Sequence, residues 1–240
     1  MKRTGTAALA IAALTLLWSL PAAGYQVIDV KNGGKVTGTV RFEGKVPAPE
    51  KLAITKNEEI CGTQPRLSEE FVVSGKGGLA NAVVSLIGVE KGKAFPKKSP
   101  RIIQRKCWFV PRVSLIPVGK RFILVNEDKI LHNFRTMSKK NRALNIAHPK
   151  FKKKLRVKKK FSKPETMRIA CDIHNWMSGW LLAIDHPYHA VSRKTGKFTL
   201  KNVPPGTYKL QVWHEKLGTQ VETITVSANG EAKADFTFRK

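Results

Sequence analysis

The sequence predicts an all-β protein, in which a larger β-sandwich packs with a smaller one. Short apolar runs of strand length recur after residue 24 and are separated by turns that contain Gly or Pro. No stretch in that region shows the sustained 3.6-residue periodicity of an amphipathic helix. Many short strands at this spacing are typical of β-sandwiches.

Residues 1–24 predict an export signal. Basic residues precede an apolar run from Ala7 to Leu20, and small residues follow it. A run of about fourteen residues is short for a membrane span and normal for a signal peptide. We expect cleavage near Ala23 or Gly24 and a periplasmic or otherwise exported protein, with an uncleaved signal anchor as the alternative.

Between residues 25 and 186 the strands are predicted in two groups. An N-terminal β segment, 25–99, holds runs near 36–42 and 80–86 and ends in a loop rich in Gly, Lys and Pro at 88–100. A main domain, 100–186, holds runs at 102–109, 113–116, 121–126, 167–171 and 180–184. Because residues on a strand alternate between its faces, Met167, Ile169 and Cys171 should all point inward.

Residues 187–240 predict a smaller β module. Apolar residues alternate at 196–200, around 208–213, at 221–226 and at 232–238, and the turn Pro204-Pro205-Gly206 lies between the first two. About fifty residues make a small independent core. We therefore expect this module to pack against the main domain, with the N-terminal strands as a further partner.

The segment from Cys171 to Met177 predicts a metal-binding loop. It carries Cys171, His174 and Met177, and His132 lies upstream on a separate strand-like run. A thiolate, two imidazoles and a thioether are the ligands of a type 1 (blue) copper site. The alternative is a buried thiol beside a structural histidine.

These motifs resemble those of known families. Residues 100–186 resemble cupredoxins through Phe109-Val110-Pro111, Val118-Gly119, Val125-Asn126-Glu127-Asp128 and His132-Asn133, and through Cys171-x-x-His174-x-x-Met177 with the short spacing of amicyanin. The tail resembles carboxypeptidase-regulatory-like, or transthyretin-like, modules through Gly-x-Phe-x-Leu and Pro-Pro-Gly-Thr-Tyr. The whole chain resembles exported proteins of the methylamine-utilisation type. The resemblance implies a Greek-key cupredoxin sandwich that holds one copper ion.

The cupredoxin resemblance also implies roles for residues around the ligands. Asn133 would buttress the ligand loop. Trp176 and Trp180 would shield the site with apolar side chains. The alternative is that both are ordinary residues of the hydrophobic core. Asp172 departs from the pattern because it places a carboxylate near the metal, where it could be solvated, pair with a lysine, or lower the reduction potential.

The remaining cysteines and histidines leave alternatives open. Once Cys171 is assigned to the metal, Cys61 and Cys107 remain, and an oxidising compartment permits their disulfide. Two separate buried thiols are the alternative. His186, His189 and His214 flank the junction of the two modules and would form a second metal site, a substrate pocket, or a set of hydrogen-bonded interface residues. His148, in the basic region, is a weaker candidate.

The charge of the chain indicates anionic partners. The formal net charge is +27, and the densest basic run is Lys150 to Lys163. Such a field attracts acidic redox proteins, anionic membranes or wall polymers, or it is simply a solvated surface. Nucleic acid is disfavoured because no base-stacking aromatics accompany the lysines.

The ligand set favours a single-electron carrier over an enzyme. The sequence pattern around the ligands shows neither a group of residues suited to general acid–base catalysis nor an activated nucleophile. The alternatives are a protein for copper handling or delivery, and a non-redox binding module on a cupredoxin scaffold.

Overall fold

The computed structural model describes residues 24–240, so the expected export signal, apart from Gly24, lies outside the described residues. Within that range the chain forms 21 strands and one short helix, which confirms the all-β class. A search of the same residues finds no helix long and apolar enough to cross a bilayer.

The elements of the first half are β1 (Gln26–Val27), β2 (Gly34–Glu43), β3 (Lys51–Leu52), α1 (Glu58–Cys61), β4 (Arg66–Leu67), β5 (Val83–Ile87), β6 (Lys91–Gly92), β7 (Arg101–Arg105), β8 (Trp108–Val110), β9 (Val113–Pro117) and β10 (Phe122–Asn126). The elements of the second half are β11 (His132–Met137), β12 (Asn145–His148), β13 (Lys154–Val157), β14 (Glu165–Ala170), β15 (Ser178–Ile184), β16 (His189–Val191), β17 (Lys197–Val203), β18 (Gly206–His214), β19 (Gly218–Val226), β20 (Glu231–Lys233) and β21 (Phe236–Arg239).

The first sandwich is formed by β7 to β15. Its two sheets have the strand orders β13-β10-β7-β8 and β12-β11-β14-β15-β9. Their inner faces meet in one apolar core, where the rings of Phe109 and Phe122 pack against Phe134. The core exists because successive side chains of a strand point to opposite faces, so that Ile102, Leu124 and Ile169 are buried on the inner faces of β7, β10 and β14.

The second sandwich combines both ends of the described chain. One sheet has the order β16-β5-β18-β19, and the other has the order β17-β2-β20, with β21 also paired to β2. The N-terminal strands β2 and β5 therefore complete the C-terminal module rather than form a sheet of their own. Their buried side chains, such as Val36, Val40 and Val84, share one core with Leu210 and Phe236.

Two predicted strands are interrupted, and there the prediction of continuous strands is wrong. The run 102–109 is a hairpin of β7 and β8, because Lys106 (φ 49°) and Cys107 (φ 57°) form a tight turn between them. Two consecutive left-handed residues are typical of a type I′ turn, which Asn-Gly usually occupies. The run 232–238 is similarly divided into β20 and β21.

A buried ion pair joins the two sandwiches. The guanidinium of Arg112, just before β9, donates to both carboxylate oxygens of Glu215, at 2.7 and 2.9 Å. Trp180 Nε1 donates to the same carboxylate at 2.8 Å. A small apolar cluster that includes Val83, Val113, Leu182 and Ile184 lies at the same junction.

Residues 45–70, here called the strap, leave the second sandwich and cover the first. Leu52 and Ile54 of the strap pack against the first sandwich's core. Cys61 is bonded to Cys107, with their Cα atoms 5.3 Å apart, which confirms the predicted disulfide. Arg66 donates to the carbonyl oxygen of Lys106 at 2.7 Å. The strap is thus fixed to the β7–β8 hairpin both covalently and by hydrogen bonds.

Candidate metal centre

Three of the four predicted ligands, His132, Cys171 and His174, come together at one end of the first sandwich. Met167, Ile169 and Cys171 are all buried, as the strand alternation predicts. The following loop closes tightly, because Met177 N donates to His174 O (2.9 Å) and Cys171 N donates to Met177 O (3.0 Å). His132 is the first residue of β11, the neighbour of β14 in the same sheet.

Three donor atoms converge at this point. The Nδ1 atoms of His132 and His174 are 3.1 Å apart, and Cys171 Sγ lies 3.6 Å from His174 Nδ1. One ligand atom from each of the three residues lies within 4.8 Å of the others. Both histidines are 0% exposed, and Cys171 is 2% exposed. The arrangement is a buried His–Cys–His group.

The other nitrogen of each ring faces an oxygen that can accept a hydrogen bond. His132 Nε2 lies 2.9 Å from Asp128 Oδ2, and His174 Nε2 lies 3.0 Å from Asn57 Oδ1. With a ring proton held at Nε2 by these partners, each Nδ1 lone pair is directed toward the other ring and is available to a metal ion. Without a metal ion, a proton at Nδ1 can instead be shared within the His–Cys–His group, because the two Nδ1 atoms are 3.1 Å apart.

The spacing of the donors fits a first-row metal ion. Bonds of about 2.0 Å to imidazole and about 2.3 Å to thiolate, at a tetrahedral angle, separate the ligand atoms by about 3.3 to 3.5 Å. The observed separations of 3.1 and 3.6 Å bracket that range. The thiolate and imidazole donors suit copper and zinc better than magnesium or calcium, which prefer oxygen ligands.

Asp128 is the carboxylate that orients His132. Its Oδ2 also accepts from Cys107 N at 2.8 Å, and its Oδ1 accepts from Lys106 N. Burial alone would raise the pKa of Asp128, but the hydrogen bonds from His132 and from these two backbone groups lower it. The tight turn of the β7–β8 hairpin is thereby part of the metal centre, because its amide groups keep Asp128 ionised.

The thiol of Cys171 is prepared to act as a thiolate. Burial opposes ionisation, but hydrogen bonds from His132, His174 and the backbone N–H of Asn133 outweigh it and lower the pKa of Cys171 to about 5. Burial would also lower the pKa of His132, yet Asp128 and Cys171 raise it. A thiolate at neutral pH is the form that binds metal.

Asn133 connects the ligand loop to β11, in the geometry that a buttressing residue requires. Its backbone N–H donates to Cys171 Sγ at 3.4 Å, and its Oδ1 accepts from Asp172 N at 2.6 Å. The Asp172 carboxylate accepts from Asn133 Nδ2 at 3.0 Å and pairs with Arg135 at 2.9 Å. Its charge is therefore compensated on the surface by an arginine, and no lysine of residues 24–240 forms an ion pair with it.

The aromatic and sulfur side chains of the loop are buried beside the donors. The Trp176 ring centroid is 5.3 Å from that of His174. Met177 is 0% exposed and belongs to the same core cluster as Cys171. Trp180 instead faces the second sandwich, where its ring packs against Trp213. Of the two tryptophans, Trp176 is therefore the one that shields the centre.

The strap closes the His174 edge of the centre. Asn57, the residue before α1, contacts the His174 ring although the two are 117 positions apart. The disulfide lies directly behind it, since the Cys61 and Cys107 sulfurs lie within 4.8 Å of a His174 ring nitrogen. The His174 ring is thus covered by a segment that is distant from it in the sequence.

The remaining histidines do not gather into one site. The rings of His186 and His189 are 4.5 Å apart, whereas His214 packs edge-on against Phe71. Among residues 24–240, no group of three potential ligands within 4.8 Å contains any of them. His148 lies between the side chain of Gln104 and the carbonyl oxygen of Lys152.

Two residues of the centre carried no assigned role in the sequence. Asp128 precedes His132 by four positions, a spacing that could have marked it as the partner of the histidine. Asn57 had no such signal, because no local pattern reports a contact across 117 residues.

Comparisons with known proteins match parts of the chain. The family model of the carboxypeptidase regulatory-like domain matches residues 181–239, which confirms the predicted C-terminal module. The chain resembles a copper-containing nitrite reductase from Thermus scotoductus SA-01, with 24% identity and a TM-score of 0.32 over 39% of this chain and 24% of that one. It therefore spans about a quarter of the reductase.

Two small proteins are also similar in structure. A purple cupredoxin from Nitrosopumilus maritimus has 18% identity and a TM-score of 0.30, over 36% of this chain and all (100%) of its own. A reduced amicyanin variant has 16% identity and a TM-score of 0.31, over 42% of this chain and 98% of its own. A search of curated proteins gave no match.

Proposed function

We propose that this protein is exported, binds one copper ion through His132, Cys171, His174 and Met177, and carries single electrons between redox partners. The observation that carries the proposal is the buried convergence of two oriented imidazole nitrogens with a low-pKa thiol. Copper held there would supply a one-electron Cu(II)/Cu(I) couple.

The surrounding residues would keep the donors fixed while the charge at the site changes. Asp128 and Asn57 hold the two rings at Nε2, so neither ring has to turn. Preorganised donors of this kind lower the cost of reorganisation during charge transfer. The backbone N–H of Asn133 stabilises negative charge on Cys171 Sγ, and hydrogen bonding at this sulfur tunes the reduction potential.

Titration of the purified protein with Cu(II) tests the proposal. We expect an intense visible thiolate-to-copper absorption band that saturates at one copper per chain and is absent from Cys171→Ala. The matched control is His189→Ala, which changes a histidine outside the donor group and should leave the band intact. A colourless protein that takes up no copper would refute the proposal.

Copper delivery is the competing function, and burial argues against it. A receiving protein must reach the ion with its own ligands, yet the two histidines and Cys171 are at most 2% exposed. Cyclic voltammetry of the copper-loaded protein separates the two functions. A reversible couple supports electron transfer, whereas an irreversible couple together with rapid loss of copper to a chelator would support delivery.

A further inference from the structure

The strap covers the His174 edge of the metal centre, so a redox partner would have to dock elsewhere. His174 is fully buried, and its outer nitrogen is bonded to Asn57 of the strap. The strap is held by the disulfide between Cys61 and Cys107. A partner therefore cannot contact His174 directly, and electrons require another route from the thiolate to the surface.

The turn between β12 and β13, residues 149–153, is a basic surface with an aromatic tip, here called the Phe151 loop. Phe151 is 85% exposed, and Lys150, Lys152 and Lys153 around it are exposed too. Glu127 lies beside the loop but is already paired with Arg105 at 2.5 Å, so the surface keeps its positive charge. An exposed aromatic ring among cations is typical of a residue in a protein–protein interface.

A chain of close polar contacts connects this loop to the thiolate. Asn133 N donates to Cys171 Sγ (3.4 Å), and Gln104 Nε2 donates to Asn133 O (3.3 Å). His148 lies between Gln104 Oε1 (2.6 Å) and the backbone carbonyl oxygen of Lys152 (2.7 Å). Because a neutral imidazole has one N–H, His148 donates to one of these oxygens and only contacts the other. Gln104 and His148 are both 0% exposed, so the chain is buried until it reaches the loop.

We propose that the Phe151 loop is the docking surface for an acidic redox protein, and that electrons pass between it and Cys171 along this buried chain of polar contacts. The inference rests on the proposed electron-carrier function. Carboxylates of the partner would face the lysines, while its apolar centre would cover Phe151. One electron moves: the partner's cofactor is oxidised as Cu(II) becomes Cu(I), or the reverse, and no bond forms or breaks.

An anionic membrane would also attract lysines and an exposed phenylalanine. The buried connection to the thiolate favours a redox protein instead, because a lipid surface exchanges no electrons with the metal centre. Lipid binding is therefore the outcome that the experiment has to separate.

Binding of an acidic haem protein to the copper-loaded chain tests the docking surface. The probe is the soluble domain of cytochrome b5, and affinity is measured by calorimetry at low and high salt. Lys150→Glu/Lys153→Glu and Phe151→Ser should each weaken binding about tenfold or more at low salt. The matched control Lys197→Glu/Lys209→Glu changes the net charge by the same amount at exposed positions of β17 and β18 in the second sandwich. It should have little effect on cytochrome binding.

The route is tested separately with Gln104→Met, which removes both polar contacts of Gln104 from the chain at nearly constant volume. We expect unchanged cytochrome binding but slower electron transfer in stopped-flow mixing. An unchanged rate would overturn the route. If the loop variants and the control variant weaken cytochrome binding equally, the docking surface is refuted. It is also refuted if the protein binds phosphatidylglycerol vesicles through the loop but does not bind the cytochrome. The visible copper band is measured first in the unaltered protein and in every variant. Its absence from the unaltered protein would refute the proposed copper function and not the docking surface.

Discussion

Loss of the disulfide should cost this protein a large part of its stability. The bond closes a loop with a sequence separation of 46 residues. The loop-closure relation for a loop of that length gives an entropy of about 13 cal/mol/K, or about 4 kcal/mol at 25 °C. We therefore expect Cys61→Ala/Cys107→Ala to lower the free energy of unfolding by about 4 kcal/mol.

Urea unfolding of the copper-free protein is the assay, because bound copper would add its own stabilisation. The comparison is best made in a Cys171→Ser background, where no third thiol can exchange with the pair. The m-value should rise in the variant, since an unfolded chain without the cross-link exposes more surface. Chemically reduced Cys171→Ser protein should match the alanine variant. A loss below about 1 kcal/mol would refute the reasoning, because it would mean that the bond constrains the unfolded chain very little.

Three further predictions concern buried polar groups. Glu215→Gln should destabilise the protein by about 3 kcal/mol in urea titrations, because the buried guanidinium of Arg112 then faces a neutral amide instead of a carboxylate. Arg112→Met/Glu215→Leu removes both charges and should lower the free energy of unfolding by less. Burial lowers the pKa of His214 to about 4, well below the ordinary histidine value of about 6.5, so its neutral form stabilises the fold fully above pH 6.5 and this contribution is lost as the pH falls towards 4. His214→Phe should remove about 2 kcal/mol of the stability difference between pH 7 and pH 5, and an unchanged acid limb would contradict this. Asp128→Asn should weaken copper binding about 10- to 100-fold in a chelator competition, whereas equal affinity would show that His132 needs no charged partner.

The position of the donor residues could be read from the sequence because it depends on local rules. Strand alternation places Cys171 on the inner face after Met167 and Ile169, and the tight loop brings His174 back towards it. The one upstream histidine within a strand-like run supplied the remaining imidazole. The partner of each ring was not local to the ligand loop, so Asp128 and Asn57 emerged only from the folded chain.

The failures have equally specific causes. Lys106 and Cys107 carry a tight turn without the Gly or Asn that usually marks one, so β7 and β8 read as a single strand. Cysteine counting predicted the disulfide but not its place behind His174, which depends on where the strap crosses the first sandwich. The assignment of β2 and β5 to the C-terminal sandwich is a matter of pairing across the whole chain, which no sequence window contains.

The pairing of β2 with β21 has a consequence for how the chain can be made and divided. Val40 lies beside Phe236 in that ladder, so the second sandwich cannot close until its last strand has been synthesised. The first sandwich, which lies between these ends in the chain, can complete its own sheets earlier. Contacts of such long sequence separation slow folding. Truncation after residue 186 would not release the first sandwich cleanly, because β2 and β5 would lose their hydrogen-bonding neighbours on both sides and become two unpaired, aggregation-prone strands.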